Sequence, residues 1–309
     1  MSRVVVLGSA NSDLTILAPR LPGPGETVGD GRFAVFFGGK GANQALAALN
    51  CGLDAALIAR IGTDTHGQTL AEHLQGSGLP EQTIIRDPVH PAGVALIVVD
   101  PAGANQITVA PGSNGHLSPE DVNRCEALFT RGSILLTQLE IPMETVQYGL
   151  ELAKARNMTT ILNPAPYAPL SRRILAATDI LTPNQSEAAA LAGVAPDSWA
   201  SLQKGLARLL SMGVQTVLMT MGGQGVLHIN RDGTEQVPPY PVHPVDTVAA
   251  GDGFNGVLAA GLAAGLPLST AVRLACAAGA LCTTRRGAQE SLPVREEIEA
   301  LCGLSFAQS

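Results

Sequence analysis

The chain has 309 residues, of which 46% are hydrophobic and 15% are charged, so it can bury a sizeable core and does not have the composition of a disordered protein. Its formal net charge is −7, from 26 acidic and 19 basic residues, and no dense basic run occurs, which disfavours nucleic acid as a partner. No apolar stretch reaches about 18 uninterrupted residues and the first residues lack the pattern of a secretory signal, so we expect a cytoplasmic protein that does not enter a membrane.

Short apolar runs alternate with helical stretches rich in Ala and Leu along most of the chain. Strands are predicted over residues 4–7, 55–60, 133–138, 159–163, 180–182 and 216–220, and helices over residues 41–50, 143–157, 198–212 and 257–264. This spacing is typical of βαβ units, which build a mostly parallel sheet with helices on both faces. We therefore predict an α/β fold with a central, mostly parallel sheet between two helical layers.

Two segments interrupt this alternation. Residues 14–37 combine Pro and Gly with the strand-like run RFAVFF, and residues 93–109 place two strand-like runs around a Pro/Gly turn. We expect both segments to form antiparallel strands outside the parallel sheet, as a small lid over a site; a surface hairpin without function is the alternative. The chain has no long linker and no internal repeat, so residues 1–309 are predicted to form one α/β domain that carries this lid.

The first motif with chemical content is FGGKGANQA at residues 37–45, where glycines precede a predicted helix. Glycine lets the backbone approach a ligand closely, and a helix start supplies unpaired N–H groups. Asn43 and Gln44 can hydrogen-bond hydroxyl groups. The motif is not a P-loop, because Lys40 is followed by Gly41 and not by Ser or Thr. It indicates a polyol or phosphate site, with tight packing alone as the alternative.

The second motif is VDTVAAGDGFNG at residues 245–256, which leads into an Ala/Leu-rich helix. The start of such a helix binds anions through its N–H groups and its dipole. Asp252 falls in the same first turn, where a carboxylate can serve simply as a helix cap. A carboxylate beside an anion hole can also take a proton from an attacking hydroxyl, and phosphoryl transfer requires both features together.

Polar groups also follow several predicted strands. The segments TPNQSE at 182–187 and TMGGQG at 220–225 each come after a strand, and ligands of open α/β sheets bind at the carboxyl ends of strands. Asn184 and Glu187 are three residues apart and share one face of a starting helix, which a capping box also explains. The glycines of the second segment alone are a weak indication of nucleotide phosphates.

The first strand is followed by GSANSD at residues 8–13, and a later strand by Glu140. Asn11 and Asp13 alternate and so share a face, where they can bind vicinal hydroxyls; an Asx turn is the alternative. The chain has no HExxH, CxxC or GxSxG motif and its six histidines are scattered, which disfavours a catalytic triad or a cluster of metal ligands.

The residues at 38–43 and 246–252, in this order and spacing, resemble the two signatures of the ribokinase/PfkB family of carbohydrate kinases. The segments at 24–28, 163–166, 182–184, 286–289 and 294–298 extend the resemblance over almost the whole chain, from about residue 4 to 301. It implies transfer of the γ-phosphate of ATP to the 5-hydroxyl of D-ribose, a β lid and a homodimer formed through that lid. Another sugar of the family, 2-deoxyribose or fructose, and a non-catalytic sugar- or nucleotide-binding regulator are the alternatives.

The resemblance also implies roles for individual residues. The sugar would be held by Asn11, Asp13, Gly39, Lys40, Asn43 and Glu140, with Asp252 as the base that deprotonates it. The anion hole would be formed by the backbone amides of Ala249, Ala250, Gly251 and Asp252. The ATP site would be lined by Asn184, Thr220, Gly222, Gly225, Gly251 and Cys276.

Two cations are implied as well. Glu187 would act on Mg²⁺ through water, since Mg²⁺ keeps part of its hydration shell. An activating K⁺ would be held by Asp246, Val248, Cys282, Arg285, Gly287 and Ser291. The chain departs from the family pattern at Gly253, where relatives often carry Thr, Ser or Ala, and at Cys276, where relatives often carry a polar residue.

Overall fold

The computed structural model describes residues 3–194 and 199–307. The strands are β1 Val4–Leu7, β2 Asn11–Leu17, β3 Arg32–Gly38, β4 Ala55–Gly62, β5 Ile84–Asp87, β6 Gly93–Val99, β7 Asn105–Ala110, β8 Ile134–Thr137, β9 Thr159–Leu162, β10 Ile180–Leu181, β11 Thr216–Thr220, β12 Val226–Asn230 and β13 Gly233–Val237. The helices are α1 Lys40–Asn50, α2 Thr65–Gly76, α3 Pro119–Arg124, α4 Met143–Ala155, α5 Arg172–Ala176, α6 Gln185–Ala192, α7 Trp199–Ser211, α8 Ala250–Ala263, α9 Leu268–Cys282 and α10 Arg295–Cys302. The helix predicted over 198–212 corresponds to α7; its predicted first residue lies outside the described residues.

In the described part of the chain, nine strands form the central sheet, in the order β13-β12-β11-β10-β9-β8-β1-β4-β5. The pairs from β5 to β11 are parallel, and β12 and β13 extend one edge as antiparallel strands. The interior strand β1 reads VVVL and all four residues are fully buried, as expected for a strand covered on both faces. The predicted fold class is confirmed.

Helices cover both faces of this sheet and divide the core into two clusters. One cluster packs α1, α2, α8, α9 and α10 against residues such as Val4 and Leu57, and the other packs α3 to α7 against Val5 and Ile58. Alternate residues of each strand therefore face opposite helical layers. Contact between α1 and α8 is close enough that a Cβ on Gly256 would overlap the backbone of α1. This packing places the starts of α1 and α8 side by side.

The remaining four strands form a separate small sheet in the order β3-β2-β6-β7. The segments that interrupt the βαβ alternation supply its strands, and the predicted antiparallel pairing is found for β2 with β3 and for β6 with β7. Between these two pairs, β2 and β6 are parallel, with Asn11 opposite Gly93. Both strands leave the same side of the central sheet after β1 and β5, and this shared direction makes them parallel. β2 also begins at residue 11, three residues before the predicted segment.

The chain order of the central sheet reverses at β1. The chain passes from β1 to β4 and β5 on one side and then, after the small sheet, to β8 on the other. In open α/β sheets, such a switch point opens a crevice at the carboxyl ends of the strands, where ligands bind. No helix among the described residues is long and apolar enough to cross a membrane.

Candidate active site

The carboxyl ends of β1 and β8 meet at this crevice. Ser9, just after β1, donates a hydrogen bond of 2.5 Å from its Oγ to Glu140 Oε2. The same Glu140 oxygen accepts the backbone N–H of Lys40, the first residue of α1, at 3.0 Å. A Cβ on Gly41 would overlap the backbone at residues 8 and 9, so the glycine is required for α1 to begin this close to β1. Glu140 and α1 thereby form one wall of the site.

Asp252 lies at the start of α8 and is 6% exposed. Its Oδ2 accepts a hydrogen bond of 2.9 Å from Asn43 Nδ2, and its Oδ1 accepts one of 3.0 Å from Gln44 Nε2. The helix is preceded by Ala249 in the left-handed region, with φ 57° and ψ 4°, a conformation that is uncommon for a residue with a side chain. The first-turn N–H groups that follow have no acceptor within the helix, as at any helix start.

Burial dominates the electrostatics of Asp252. Loss of solvent raises its pKa above the usual value for aspartate, against the charge of Lys40 and the two amide donors, which lower it. Burial alone would lower the pKa of Lys40, but the carboxylates of Asp252, Glu140 and Glu187 outweigh burial and raise it. A protonated lysine beside a buried carboxylate with a raised pKa is an arrangement that is common in active sites.

A series of hydrogen bonds between buried amide and hydroxyl groups connects the Asp252 carboxylate to the strands beneath it. Gln44 Nε2 also donates to Asn163 Oδ1 at 3.1 Å, and Asn163 Nδ2 donates to the Thr182 carbonyl at 3.1 Å. Thr182 Oγ1 donates to Asn255 Oδ1 at 2.6 Å, and Asn255 Nδ2 donates to the Gly251 carbonyl at 2.8 Å. The series thus returns to the first turn of α8, and it holds that turn from the strands below.

Asn11 and Asp13 lie on one face of β2, at the entrance to the crevice. Asn11 and Glu140 line a cavity of about 520 Å³. Burial, followed by the charges of Glu140, Glu290 and Asp252, raises the pKa of Asp13 to about 7. Among the described residues, Asn43 Oδ1 is buried without a hydrogen-bond partner, which is unusual for a buried acceptor and leaves this oxygen available to a ligand.

The residues predicted at the nucleotide site surround the ends of β10 and β11. Asn184 caps α6: its Oδ1 accepts the Glu187 N–H at 2.8 Å, and Glu187 Oε2 accepts the Asn184 N–H at 2.9 Å. The capping box that the spacing allowed is therefore present. Burial raises the pKa of Glu187 although the Asn184 hydrogen bond and the Lys40 charge lower it. Asn184 also forms a parallel bridge with Thr220.

The other predicted nucleotide residues differ in their exposure. Gly222 begins a 3-10 turn and Gly225 follows it, with φ 54° and 86°. A Cβ on Gly222 would meet nothing within 4 Å, whereas one on Gly225 would overlap the Val237 carbonyl. Cys276 lies on α9 within the hydrophobic core and is 8% exposed. The structure thus leaves open space at Gly222 and gives Cys276 an apolar setting.

The predicted cation residues converge on the loop after α9. Asp246 Oδ1 accepts the Val248 N–H at 3.1 Å and Asp246 Oδ2 accepts the Gly287 N–H at 3.2 Å. The guanidinium of Arg285 is paired with Glu297, so only the backbone of Arg285 remains for an ion. Ser291 donates to the Ala288 carbonyl at 2.8 Å and is fully buried.

Cys282 ends α9 and is fully buried. A Cβ on Gly253 would overlap the Cys282 sulfur. The unusual glycine after Asp252 is therefore explained by packing, because the sulfur occupies the volume that a side chain at position 253 would fill.

Two hydrogen bonds at the site were not predicted from the sequence. Gln44, expected to bind hydroxyl groups, donates instead to Asp252. Asn114, in the 3-10 turn Gly112–His116, donates to Asn11 Oδ1 at 2.7 Å and was not considered. No local pattern marks Asn114, since it is 103 residues from its partner.

Three comparisons describe what the chain is similar to. A family model described as pfkB family carbohydrate kinase matches residues 1–295. Ribokinase of Haemophilus influenzae is 36% identical over 95% of this chain and 96% of that protein, and deoxyribokinase of Salmonella typhi is 30% identical over 98% and 99%. The solved structure of Arabidopsis thaliana ribokinase complexed with ribose and ATP superposes with a TM-score of 0.89 at 29% identity, over 99% of this chain and 100% of that one.

Proposed function

Since the chain belongs to the pfkB family of carbohydrate kinases, we propose that it transfers the γ-phosphate of ATP to the 5-hydroxyl of D-ribose, giving ribose 5-phosphate and ADP. The observation that carries the proposal is the buried carboxylate of Asp252 at the start of α8, between two amide donors and beside Lys40. A general base and a helix-start anion hole are the two features that phosphoryl transfer to an alcohol requires.

In this mechanism Asp252 accepts the proton of the 5-hydroxyl while that oxygen forms a bond to the γ-phosphorus and the bond to the ADP oxygen breaks. Negative charge on the transferred group is stabilised by the N–H groups of Ala249, Ala250, Gly251 and Asp252 at the helix start. The raised pKa of Asp252 makes it a stronger base than an exposed aspartate. Lys40 supplies positive charge near the same carboxylate.

The sugar is proposed to lie between β2 and α1. Asn43 Oδ1, buried without a partner among the described residues, would accept a hydrogen bond from a sugar hydroxyl. Gly39 lets the start of α1 lie against the start of β2, because a Cβ there would overlap the backbone of Ala10 and Asn11. Asn11 and Asp13, with Glu140, would hold the vicinal diol. The similarity to a deoxyribokinase makes 2-deoxyribose the second candidate substrate, and fructose remains the third.

The nucleotide is proposed to lie over the ends of β10 and β11, against Asn184, Thr220, Gly222, Gly225 and Gly251, with Cys276 below it. Among the described residues no group of three or more His, Cys, Asp or Glu side chains could hold a metal ion, so Mg²⁺ would be held by phosphate oxygens, by water and by Glu187. One carboxylate with several waters suits Mg²⁺, which gives up its hydration shell reluctantly. Bound Mg²⁺ would neutralise phosphate charge.

Asp246 and the loop 282–291 are proposed as a K⁺ site. The carboxylate of Asp246 already orders two backbone N–H groups across the loop, and each of its oxygens can accept a further ligand. Backbone carbonyls of Val248, Gly287 and neighbouring residues would complete an oxygen set that suits a hard monovalent ion. Cys282, Arg285 and Ser291 would take part through their backbone, because their side chains are engaged elsewhere.

The small sheet is proposed as the lid and as the dimer interface. Ile16, Phe33, Val35 and Leu96 project from one face of it by strand register, and they are 42%, 66%, 45% and 56% exposed. An apolar sheet face of this kind is typical of an interaction surface. We expect a homodimer in sedimentation analysis and a monomer for Phe33→Asp, with the wild-type and variant folds matched by circular dichroism.

The test is ADP release from ATP with Mg²⁺ and K⁺ against ribose, 2-deoxyribose, fructose, fructose 6-phosphate and adenosine. Ribose is expected to have the highest kcat/KM. A tenfold preference for another acceptor would overturn the assignment of ribose, but not that of a sugar kinase. Asp252→Asn is expected to lose several orders of magnitude in kcat while it still binds ATP; near-normal turnover would remove Asp252 as the base.

A further inference from the structure

Asn114 makes three hydrogen bonds that together determine its orientation. Its Oδ1 accepts the Ala10 N–H at 3.0 Å, and its Nδ2 donates to the Ala10 carbonyl at 3.1 Å and to Asn11 Oδ1 at 2.7 Å. The backbone N–H and carbonyl of one residue can be matched by an amide in only one orientation. Asn114 is 1% exposed, so it does not exchange these partners for water. Its second amide hydrogen is therefore always directed at Asn11.

The contact also determines the orientation of Asn11. Since Asn11 must present its oxygen to Asn114, its NH₂ group points the other way. Asn11 lines the cavity of about 520 Å³ that Glu140 also lines, and among the described residues its Nδ2 has no protein acceptor. Asn114 also lines this cavity. The proposed function places the sugar diol at Asn11, so this donor is the group that Asn11 would offer to a hydroxyl. Two residues along the same face of β2, Asp13 presents an acceptor.

The backbone around the Asn11–Asn114 contact leaves space for both amides. Gly93 lies opposite Asn11 in the β2–β6 pair, and a Cβ there would overlap both Asn114 Nδ2 and Asn11 Oδ1. The two amides therefore occupy the volume of a side chain at position 93. The contact joins the first residue of β2 to the turn that follows β7, at the base of the small sheet.

We propose that Asn114 is a specificity-determining positioning residue, which orients the Asn11 amide so that it donates to one hydroxyl of the sugar diol. This inference rests on the proposed function. When a sugar lacks that hydroxyl, the Asn11 N–H remains in the site without an acceptor, and a buried unpaired donor disfavours binding. If Asn114 did not hold the amide, Asn11 could turn its oxygen toward the sugar, where a hydroxyl that donates its hydrogen to Asp13 has none to offer, and the preference for that hydroxyl would be lost. Asn114 then affects sugar discrimination through Asn11.

The experiment compares kcat/KM for D-ribose, 2-deoxy-D-ribose and 3-deoxy-D-ribose in four proteins: wild type, Asn114→Asp, Asn11→Ala and the double variant. An aspartate at 114 has no hydrogen to donate, so Asn11 would turn its NH₂ toward it and its oxygen toward the sugar. The hydroxyl has a single hydrogen, which it is proposed to donate to Asp13, so it has none left for this oxygen and ribose loses the contact. Discrimination against one deoxy sugar is expected to fall about tenfold, the size of one buried hydrogen bond, with KM for ATP unchanged. In the Asn11→Ala background the second substitution should change the discrimination no further.

A drop in all three rates with unchanged ratios would show that Asn114 only supports the fold and would overturn the inference, as would a further change in the Asn11→Ala background. Asn11→Asp serves if the Asn114 variant does not fold, because it keeps Asn114 bonded and replaces the donor by an acceptor. It is expected to lose the same discrimination, and retained discrimination would equally overturn the inference. Failure of the proposed function is distinguishable, because wild type itself would then not prefer ribose.

Discussion

Replacing Gln44 by leucine is expected to move the acid limb of the pH profile of kcat to higher pH. Gln44 is fully buried and provides one of the two hydrogen bonds to the Asp252 carboxylate. A hydrogen bond to a charged group contributes about 1.5–3 kcal/mol, so its removal should raise the pKa of Asp252 further and move the acid limb of kcat by about one pH unit or more. A base must be unprotonated to act, so a raised pKa removes activity on the acidic side first.

The assay is kcat at saturating ribose and ATP from about pH 5 to 9. Saturation matters because the bound sugar then covers Asp13, which also titrates in the free protein. Gln138 Nε2 donates to Gln44 Oε1 at 2.6 Å. Leucine at position 44 removes this acceptor, so thermal stability should fall as well. Thr182→Val is the matched control, because it breaks a 2.6 Å bond to Asn255 in the same network without touching Asp252. A uniform loss of kcat with no movement of the acid limb would refute the reasoning.

Three further outcomes are expected. Burial and neighbouring carboxylates raise the pKa of Asp13 to about 7, so kcat/KM for ribose should fall about tenfold per pH unit below that value. Asp13→Asn should flatten this acid limb of the pH profile. An unchanged limb would contradict the role of Asp13. Gly253→Ala should lower both kcat and Tm, because the added methyl group overlaps the Cys282 sulfur and overpacking destabilises a fold by about 1–3 kcal/mol. The double variant with Cys282→Ala should recover both quantities. If it does not, this overlap is not the cause. K⁺ should activate more than Na⁺ at matched ionic strength, and Asp246→Asn should remove the difference; equal rates in wild type would argue against the cation site.

The regular elements of the central sheet were predicted well because each depends on a local pattern. β1 and β11 have the predicted bounds, and α1 begins one residue early, at Lys40. Continuous apolar runs such as VVVL require a strand covered on both faces, and this requirement is visible in four residues. The short helix α5 and the edge strand β13 were not predicted, and neither were the longer helices α2 and α9.

The capping box at Asn184 shows where a local pattern supports two readings at once. The spacing of Asn184 and Glu187 predicted either a cap or a ligand site, and the structure contains the cap. A capped helix start at the carboxyl end of a strand still presents polar groups toward the crevice, so the cap does not exclude the proposed role toward nucleotide and Mg²⁺.

The sequence by itself determined the fold class, the family and the positions of the motifs at strand ends and helix starts, because these depend on residues that are neighbours in the chain. Only the tertiary structure decided which donors reach Asp252, since Gln44 lies 208 positions away, and which way Asn11 presents its amide. It also decided that β2 and β6 are parallel. The physical reason is that hydrogen-bond direction and burial depend on side chains brought together by packing, which no local pattern of residues specifies.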